Sequence, residues 1–589
     1  MANHSKKINW SKYAKPYLPY FIIGPLCMIV EVIGEVLMPF CLSRVINGAA
    51  EHGWTYAVSN AGLMVVIALL MMAGGVGGAY FGAKASVNFA SDLRSDVYAR
   101  VQKFSFANID RFSTGSLVTR LTNDVTQVQN MVGMLLRMAL RSPGMLIGAL
   151  IMAISLRPSL AVVLAVTIPL MLCCIGFLIY KSYPMFSKVQ SKIDRLNNTV
   201  QESVTNIRVV KSFVREDFEQ QKFFDANRDL KDTGIRASKI MIFMSPVMTL
   251  FMNATTISVL WFGSRMVYGE AMPIGDLSAF LTYVTQILSS LMMVTMMLMM
   301  FSRALASAKR ISEVLCEDIT LTDESASHPE LTVGEGRIEF KNVGFRYYKN
   351  SEEKVLDNIN LTIEPRSVVG IIGSTGCGKT TLVSMIPRLY DVDEGQVLID
   401  GVDVRDYSLY NLREGVGMVL QKNVLFSGSI EDNLRWGDEE ATDEQLVAAA
   451  ESAQAHGFVT AFKGGYGYDL GQGGKNVSGG QKQRLCIARA LLKKPKILIL
   501  DDSTSAVDTA TEARIREAFY GSLADSTKIV IAQRISSVRD ADMIIVMNDG
   551  RITGVGTHDE LLASNTEYQE IYYSQTDRKQ DGEGANANG

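Results

Sequence analysis

Cysteine and histidine are scarce in this chain, which has seven cysteines and five histidines among 589 residues. No CxxC pair and no cluster of cysteine with histidine occurs, which argues against a disulfide framework and against a zinc site. An excess of one charge sign is also missing, because 58 basic residues are balanced by 61 acidic ones. The resulting net charge of −3 gives no reason to expect a nucleic-acid partner.

Apolar sequence, by contrast, is abundant. Hydrophobic residues make up 48% of the chain and charged residues 20%, a mixture typical of a protein that is half in lipid and half in water. Runs long enough to cross a bilayer occupy residues 20–46, 61–81, 135–156, 160–180, 240–261 and 277–300. The sequence therefore predicts a membrane domain of six helical spans, with the first span retained rather than cleaved as a signal peptide.

The basic residues predict the orientation of this domain. Lysine and arginine precede the first run and are frequent in segments 82–133 and 181–239, so the positive-inside rule predicts that both termini are cytoplasmic. The two segments have helical periodicity without an apolar core of their own. We expect helices that continue out of the membrane, with tips near residues 112–118 and 206–214 that contact a soluble domain and transmit motion.

Small and flexible residues recur within the apolar runs. Gly74, Gly78 and Gly82 repeat every four residues, which favours close packing of one helix on another. Methionine is concentrated in the later runs, at positions 241, 244, 248, 252, 292, 293, 296, 297, 299 and 300. These methionines either fill gaps in the packing or line a cavity that adapts to dissimilar apolar ligands.

Two pairs of charged residues also fall inside the apolar runs. Glu31 and Glu35 share one face of the first run, and Arg137 and Arg141 share one face of the third. Charges at this depth pair with one another or line a wet cavity. The sequence therefore allows either an interhelical ion pair or a contact with a transported molecule.

A phosphate-binding loop is predicted in the second half of the chain. Residues 368–372 form a β-branched run that leads into a GxxxxGK[ST] motif and then an apolar helical stretch, the context that a P-loop requires. Lys379 would neutralise charge on the β- and γ-phosphates, and the Thr380 hydroxyl would ligate Mg²⁺. Cys377 is either a reactive thiol in an electropositive loop or a small residue that fits there. The predicted nucleotide-binding residues of this loop are Gly373, Ser374, Thr375, Gly376, Cys377, Gly378, Lys379, Thr380 and Thr381.

Two aspartates follow another predicted strand, residues 497–500. In P-loop NTPases, the carboxylate that binds Mg²⁺ lies at the carboxyl end of a parallel strand beside the P-loop. We therefore predict that Asp501 is a metal residue. Asp502 occupies the next position, that of the base that orients the attacking water.

A short motif after the P-loop consists of Ser478, Gly479, Gly480 and Gln481 and is followed by Lys-Gln-Arg. This motif resembles the signature of the ABC ATPases. The resemblance implies that Gln421 is the Q-loop residue, which contacts the nucleotide and Mg²⁺, that residues 503–508 are the D-loop, and that Tyr347 stacks on adenine. Each feature alone would be an ordinary turn or strand residue, and their order after a P-loop carries the resemblance.

The membrane half is similar to the exporter branch of the same family, in residues 112–115, 120–124 and 209–213. The resemblance implies an α-helical transmembrane bundle fused to an α/β P-loop NTPase domain that uses ATP and Mg²⁺. It also implies a second half-transporter subunit as partner, and a place in the inner membrane of a bacterium. The expected division is a transmembrane domain at 1–315, a linker at 316–335, a nucleotide-binding domain at 336–576 and a disordered tail at 577–589.

Three positions depart from the family pattern. Asp502 stands where the family has its catalytic glutamate, Gln533 where it has the switch histidine, and Gln472 where the loop before the signature has glutamate. The resemblance then implies the degenerate subunit of a heterodimeric exporter of drugs, lipids or peptides, in which residues 478–481 complete the partner's hydrolytic site. A homodimeric lipid or peptide exporter and a nucleotide-sensing regulatory module are the alternatives.

Overall fold

The computed structural model describes residues 8–51, 53–324, 326–348, 351–502 and 509–585. The chain divides into two compact units: Met1–Gln102 with Gly115–Glu317, here called the helical unit, and Lys103–Thr114 with Asp318–Gly589, here called the sheet unit. The break at Glu317 falls inside the predicted linker. Lys103–Thr114, expected in the membrane domain, instead belongs to the sheet unit because of contacts described below.

The helical unit consists of long helices joined by short turns. The helices are α1 (Ser11–Ala14), α2 (Leu18–Glu51), α3 (Trp54–Gln102), α5 (Thr114–Thr119), α6 (Val125–Met138), α7 (Arg141–Leu156), α8 (Pro158–Thr205), α9 (Ile207–Ser212), α10 (Glu216–Ile242), α11 (Met244–Tyr268) and α12 (Ile274–Leu315), and α4 (Phe106–Arg111) lies in the sheet unit. Within the described residues six stretches are long and apolar enough to cross a membrane. Each predicted apolar run overlaps one of these stretches, which confirms the six spans.

The glycine repeat in α3 lies where this helix packs on α2. A Cβ atom added to Gly74 would lie 2.8 Å from the backbone oxygen of Cys27, and one added to Gly78 would lie 2.3 Å from the end of the Met28 side chain. The glycines therefore permit close approach of the two helices, as the repeat predicts.

We expect Gly74→Ala to destabilise the protein by about 1–3 kcal/mol, because the new methyl group meets a backbone atom that cannot move away cheaply. Gly62→Ala, in the same helix, is the matched control, since nothing lies within 4 Å of a Cβ at that position. Thermal unfolding in detergent measures the difference. Equal midpoints for the two variants would contradict this account of the packing.

The charged pairs inside the spans form an ion pair between helices. Arg141 Nη2 lies 3.2 Å from Glu31 Oε1 and 3.3 Å from Glu35 Oε2. Arg137 instead donates from Nε to the Gly133 carbonyl oxygen at 3.2 Å. The interhelical pair that the sequence allowed is therefore present, and it uses one of the two arginines.

A second buried network joins the stretch Arg120–Asp124, which forms one π-helical turn, to α12. Asp124 is 2% exposed and accepts hydrogen bonds from Arg310 Nε at 2.8 Å and from Ser307 Oγ at 2.9 Å. Arg120 donates to the Arg310 carbonyl oxygen at 2.6 Å and pairs with Glu313 at 3.0 Å. These contacts tie the extension of the third span to that of the sixth.

The methionines of the later spans divide between core and surface. Met248 is buried, and Met292, Met293 and Met300 are exposed. The side chains at positions 241, 244, 296 and 299 lie outside the described residues.

In the part that the structure describes, the sheet unit contains two β-sheets with helices packed on them. Its strands are β1 (Ile338–Phe345), β2 (Leu356–Ile363), β3 (Val368–Gly373), β4 (Glu394–Ile399), β5 (Val402–Asp403), β6 (Val416–Val419), β7 (Ile497–Asp501), β8 (Thr527–Ile531), β9 (Met543–Asn548) and β10 (Arg551–Gly556). One sheet has the order β2-β1-β4-β5 and the other β10-β9-β3-β8-β7-β6. In the second sheet β9, β3, β8, β7 and β6 run parallel, so their carboxyl ends meet at one edge.

Several helices of the sheet unit begin at a serine or threonine that caps the helix N-terminus. They are α13 (Lys379–Ser384), α14 (Leu409–Gly415), α15 (Ile430–Arg435), α16 (Asp443–Ser452), α17 (His456–Ala461), α18 (Gly479–Leu492), α19 (Thr509–Ser522), α20 (His558–Ser564) and α21 (Thr566–Ala585). The last helix continues past residue 577, where the sequence predicted a disordered tail. Its first turns are anchored by the buried Tyr568, and helix propagation costs little once such a start exists. Residues 586–589 lie outside the described part.

Lys103–Thr114 packs within the sheet unit through the capped helix α4. Ser105 caps this helix by accepting from the Asn108 backbone N–H, and its hydroxyl lies 2.8 Å from Thr320 Oγ1. Asp110 accepts a hydrogen bond of 2.9 Å from the hydroxyl of Tyr390. The contact with the soluble domain therefore lies a few residues before the predicted tip at 112–118. The other predicted tip, 206–214, belongs to the helical unit.

Candidate nucleotide site

The predicted site residues collect at the carboxyl edge of the parallel sheet. The P-loop follows β3, Gln533 follows β8, Asp501 ends β7 with Asp502 directly after it, and Gln421 follows β6. Because β3, β8, β7 and β6 are consecutive neighbours in the sheet, these four chain segments are adjacent although up to 160 residues separate them in sequence. Ligands of open α/β sheets bind at this edge.

Two glycines permit the backbone path of the P-loop. Gly373 has φ +154°, and a Cβ there would lie 2.1 Å from the Met547 carbonyl oxygen. Gly378 has φ +97°, and a Cβ there would lie 2.9 Å from the Val355 carbonyl oxygen. Any side chain at either position would displace backbone of a neighbouring segment, so the loop is specified by its glycines. Between them Ser374, Thr375 and Gly376 are exposed.

Lys379 folds back over this loop. Its Nζ donates to the carbonyl oxygens of Gly373 and Ser374 at 2.8 and 2.7 Å, which holds a positive charge at the mouth of the loop. Cys377 is 4% exposed, and its Sγ lies 3.6 Å from Lys379 Nζ. Because alkylation requires access to the sulfur, this burial favours the interpretation of Cys377 as a small packing residue.

Thr380 and Asp501 are hydrogen-bonded to each other beside the loop, and one carboxylate oxygen of Asp501 has no partner among the described residues. The Thr380 hydroxyl donates to Asp501 Oδ1 at 3.1 Å. Asp501 is 2% exposed, and among the described residues its Oδ2 has no hydrogen-bond partner. Burial raises the pKa of Asp501, with the nearby Asp502 adding to the rise and Thr380 and Lys379 opposing it. A buried, unsatisfied carboxylate oxygen next to a hydroxyl fits a hard cation such as Mg²⁺.

Asp502 accepts a hydrogen bond from Gln533, the residue at the switch position. Gln533 Nε2 donates to Asp502 Oδ2 at 2.7 Å, and the Gln421 amide also acts to lower the pKa of this carboxylate. Burial raises the pKa of Asp502 while these two amides oppose the rise. The backbone of Asp502 has φ +47°, a left-handed conformation that aspartate tolerates better than most residues.

Gln533 is itself held by a residue that no sequence signal indicated. Gln575, in α21, donates from Nε2 to the Gln533 carbonyl oxygen at 2.8 Å, and its Oε1 accepts from the Ile535 backbone N–H at 2.9 Å. A glutamine in a polar helix far from any motif carries no recognisable pattern, so only the fold identifies it.

Tyr347 lies just after β1 rather than within it. The residue is 42% exposed, and its hydroxyl is 2.9 Å from Thr381 Oγ1 on the P-loop helix. Tyr390 packs edge-on against it, with ring centroids 5.2 Å apart. An open aromatic face next to the P-loop helix is therefore available for stacking.

The segment 478–481 begins α18 and is exposed in its first positions. The Ser478 hydroxyl accepts from the Gln481 backbone N–H at 3.3 Å, and Gln481 Oε1 accepts from the Ser478 backbone N–H at 2.9 Å, so the two residues form a capping box. Within the described part of the chain, no hydrogen bond joins this turn to the P-loop of the same chain. The predicted D-loop, 503–508, lies outside the described residues.

Comparisons with known proteins agree with this geometry. Residues 21–291 match the model of the ABC transporter transmembrane region, and residues 356–505 match that of the ABC transporter domain. The ABC transporter ATP-binding protein YfiB of Bacillus subtilis (strain 168) is 37% identical over 96% of this chain and 98% of its own length. An ATP-dependent lipid A-core flippase of Syntrophus aciditrophicus (strain SB) is 32% identical over 96% of this chain and 93% of its own.

Among solved structures, a bacterial Atm1-family ABC exporter with ATP bound is similar, with a TM-score of 0.77 and 26% identity over 95% of this chain and 98% of that one. Its helical transmembrane domain fused to a nucleotide-binding domain is the architecture expected here from the sequence. From these relatives and from its six apolar spans, the chain belongs to the ABC transporter family, as an integral membrane exporter with an ATP-binding domain.

Proposed function

We propose that this chain is the degenerate-site half of a heterodimeric ABC exporter that moves amphipathic or hydrophobic cargo out of a bacterial cell. The observation that carries the proposal is the 2.7 Å hydrogen bond between Gln533 and Asp502. This pair stands beside the P-loop, at the positions where the family resemblance places a histidine and a glutamate.

The chemistry of this pair favours binding over turnover. Aspartate is one methylene shorter than glutamate, and displacing a catalytic carboxylate by about 1 Å costs on the order of a hundredfold in rate. Glutamine donates a hydrogen bond but carries no positive charge, so it stabilises the transition state less than a protonated histidine does. ATP held by Lys379 and stacked on Tyr347, with its Mg²⁺ between Thr380 and Asp501, would therefore be bound and hydrolysed slowly.

The turn at 478–481 supports the second half of the proposal. In ABC ATPases each ATP lies between the P-loop of one half and the signature of the other. The exposed start of α18, with backbone N–H groups at a helix N-terminus, suits the phosphates of an ATP held by a partner subunit. This chain would thus complete a hydrolytic site whose glutamate and histidine belong to the partner.

The transport cycle follows from this arrangement. ATP binding closes the two nucleotide-binding domains, and hydrolysis at the partner's site releases them. Since ATP binds the closed state more tightly, it supplies the differential affinity that shifts the membrane helices. The packing of α4 on Tyr390 within the sheet unit supports a direct mechanical role for Lys103–Thr114. The positive-inside pattern supports an inner-membrane protein with both termini in the cytoplasm.

The proposed cargo is a class of amphipathic or hydrophobic molecules rather than one compound. The similarity to the lipid A-core flippase of Syntrophus aciditrophicus supports lipids as one member of that class. The exposed methionines of α12 support a surface that adapts to several apolar molecules.

The test is ATP turnover by the chain purified alone in lipid nanodiscs. We expect it to bind ATP with little turnover and no stimulation by candidate cargo, and to gain cargo-stimulated turnover only when co-expressed with a half-transporter that carries the glutamate and histidine. Lys379→Ala, which should lose ATP binding, is the control for binding at this site. Cargo-stimulated turnover by the chain alone would establish the homodimeric exporter instead.

A further inference from the structure

The last helix of the sheet unit, α21, runs from a buried anchor to the nucleotide edge of the parallel sheet. The anchor is Tyr568, which is buried and whose hydroxyl lies 2.7 Å from Nδ1 of the buried His558. The Asn565 side chain also accepts from the Tyr568 backbone N–H at 2.8 Å. Gln575 follows about two helical turns later and so shares a face of the helix with Tyr568. The anchor therefore determines where the Gln575 side chain is presented.

Gln575 binds the backbone of residues 532–537, here called the switch segment, at two points. Its Nε2 donates to the Gln533 carbonyl oxygen at 2.8 Å, and its Oε1 accepts from the Ile535 backbone N–H at 2.9 Å. Because both ends of one amide are used, the two bonds fix the direction of the backbone as well as its position. Ile535 is buried in the same apolar cluster as Tyr568, so packing joins the helix to the segment as well.

The switch segment carries the exposed side chain of Gln533 at the nucleotide edge. An amide nitrogen has two N–H donors, and one of those on Gln533 Nε2 is given to Asp502 Oδ2 at 2.7 Å. Lys379 of the P-loop is near enough for its charge to oppose the rise in the pKa of Asp502. The second N–H of Gln533 thus lies close to where the phosphates of a nucleotide on the P-loop would end.

We propose that Gln575 is a positioning residue of the nucleotide site, which acts through the backbone of Gln533 to hold its amide toward the γ-phosphate of ATP. The inference rests on the proposed function in taking this edge of the sheet as the ATP site, and it involves this chain's residues only. ADP lacks the γ-phosphate. The two hydrogen bonds of Gln575 should therefore favour binding of ATP over ADP without changing the affinity for ADP.

The test is the ratio of the dissociation constants of MgADP and MgATP, measured with the full chain in lipid nanodiscs. We expect Gln533→Ala to lower this ratio by about tenfold, because a hydrogen bond to a charged group is lost. Gln575→Ala should lower it by about three- to tenfold, because the amide of Gln533 is then held less accurately. The change should lie in MgATP binding, with the dissociation constant of MgADP unaffected.

A double-mutant cycle separates positioning from a general structural effect. If Gln575 acts through Gln533, adding Gln575→Ala to Gln533→Ala should not lower the ratio further. Gln569→Ala is the matched control, because Gln569 lies in the same helix and donates from Nε2 to the Leu562 carbonyl oxygen of α20 at 2.8 Å. This control loses one bond from an amide to a carbonyl group, and it should leave the ratio unchanged.

Thermal unfolding without nucleotide checks that each variant is folded. If Gln575→Ala failed this check, Gln575→Glu would decide, since it keeps the acceptor for Ile535 and loses the donor to Gln533. An unchanged ratio in the folded variant, equal weakening of both nucleotides, or additive effects in the cycle would overturn the role of Gln575. A parent chain that bound neither nucleotide would instead contradict the proposed function, and the inference would fail with it.

Discussion

Changing Ser478→Arg should abolish ATP turnover by the heterodimer, whereas Asp502→Ala should leave most of it intact. Ser478 begins the exposed turn that would reach the partner's ATP, and a bulky cation there blocks closure around the nucleotide. In the proposed heterodimer Asp502 would act only on the ATP held by this chain's own P-loop, where turnover would already be slow. We expect a loss of at least about a hundredfold for the first variant and a change of about twofold or less for the second.

The chain offers a matched control for the serine. Thr442 caps α16 with the same capping box, accepting from the Gln445 backbone N–H while Gln445 Oε1 accepts from the Thr442 backbone N–H at 2.9 Å. Thr442→Arg therefore loses an equivalent helix cap, worth about 1 kcal/mol, without reaching a nucleotide. Steady-state ATPase of the three variants decides the matter. If Asp502→Ala proved as damaging as Ser478→Arg, this chain would be hydrolysing ATP at its own site and the heterodimer proposal would fail.

Restoring the family residues at Asp502 and Gln533, two of the three departures, should make the chain's own site hydrolytic. In a complex whose partner subunit has its catalytic glutamate changed to glutamine, the double variant Asp502→Glu with Gln533→His should raise turnover by about a hundredfold. Each single change should give much less, because Asp502 and Gln533 are hydrogen-bonded to each other and, in the proposed site, would act on one ATP, so that their effects would be coupled.

One structural cost accompanies this gain. Asp502 has φ +47°, and glutamate adopts this conformation less readily than aspartate, so a small loss of stability of about 1 kcal/mol is expected. Thermal unfolding with and without ATP measures it separately from turnover. A double variant that is folded, binds ATP and yet hydrolyses no faster than its parent would show that residues other than these two limit the site.

The predicted local elements agree with the structure where glycine and β-branched residues dictate the backbone. The β-branched run at 368–372 is β3, and the loop after it needs glycine at 373 and 378 because neighbouring carbonyl oxygens leave no room for a Cβ. The strand before Asp501 could equally be predicted from the sequence, since a short apolar run is typical of a buried parallel strand. The six spans followed from length and hydropathy alone.

Long-range partners could not be predicted in the same way. Gln575 supports Gln533, Tyr390 binds Asp110, and Arg310 neutralises Asp124, and these pairs join residues between 42 and 280 positions apart. A polar side chain in a helix has no periodicity that names its partner. The same reason explains why α4 was expected with the spans although it packs with the sheets.

By itself the sequence determined the family, the six spans and the phosphate-binding loop of this protein, because each depends on a local pattern: hydropathy over about 20 residues, or glycines at fixed spacing. The tertiary structure alone decided which of two arginines pairs with Glu31 and Glu35, and that Gln533 closes on Asp502. It also decided that, among the described residues, Glu31 Oε2 and Gln286 Oε1 have no hydrogen-bond donor. Those outcomes depend on how helices and strands distant in sequence are placed against one another, and on the balance of charge and hydrogen bonds where they meet.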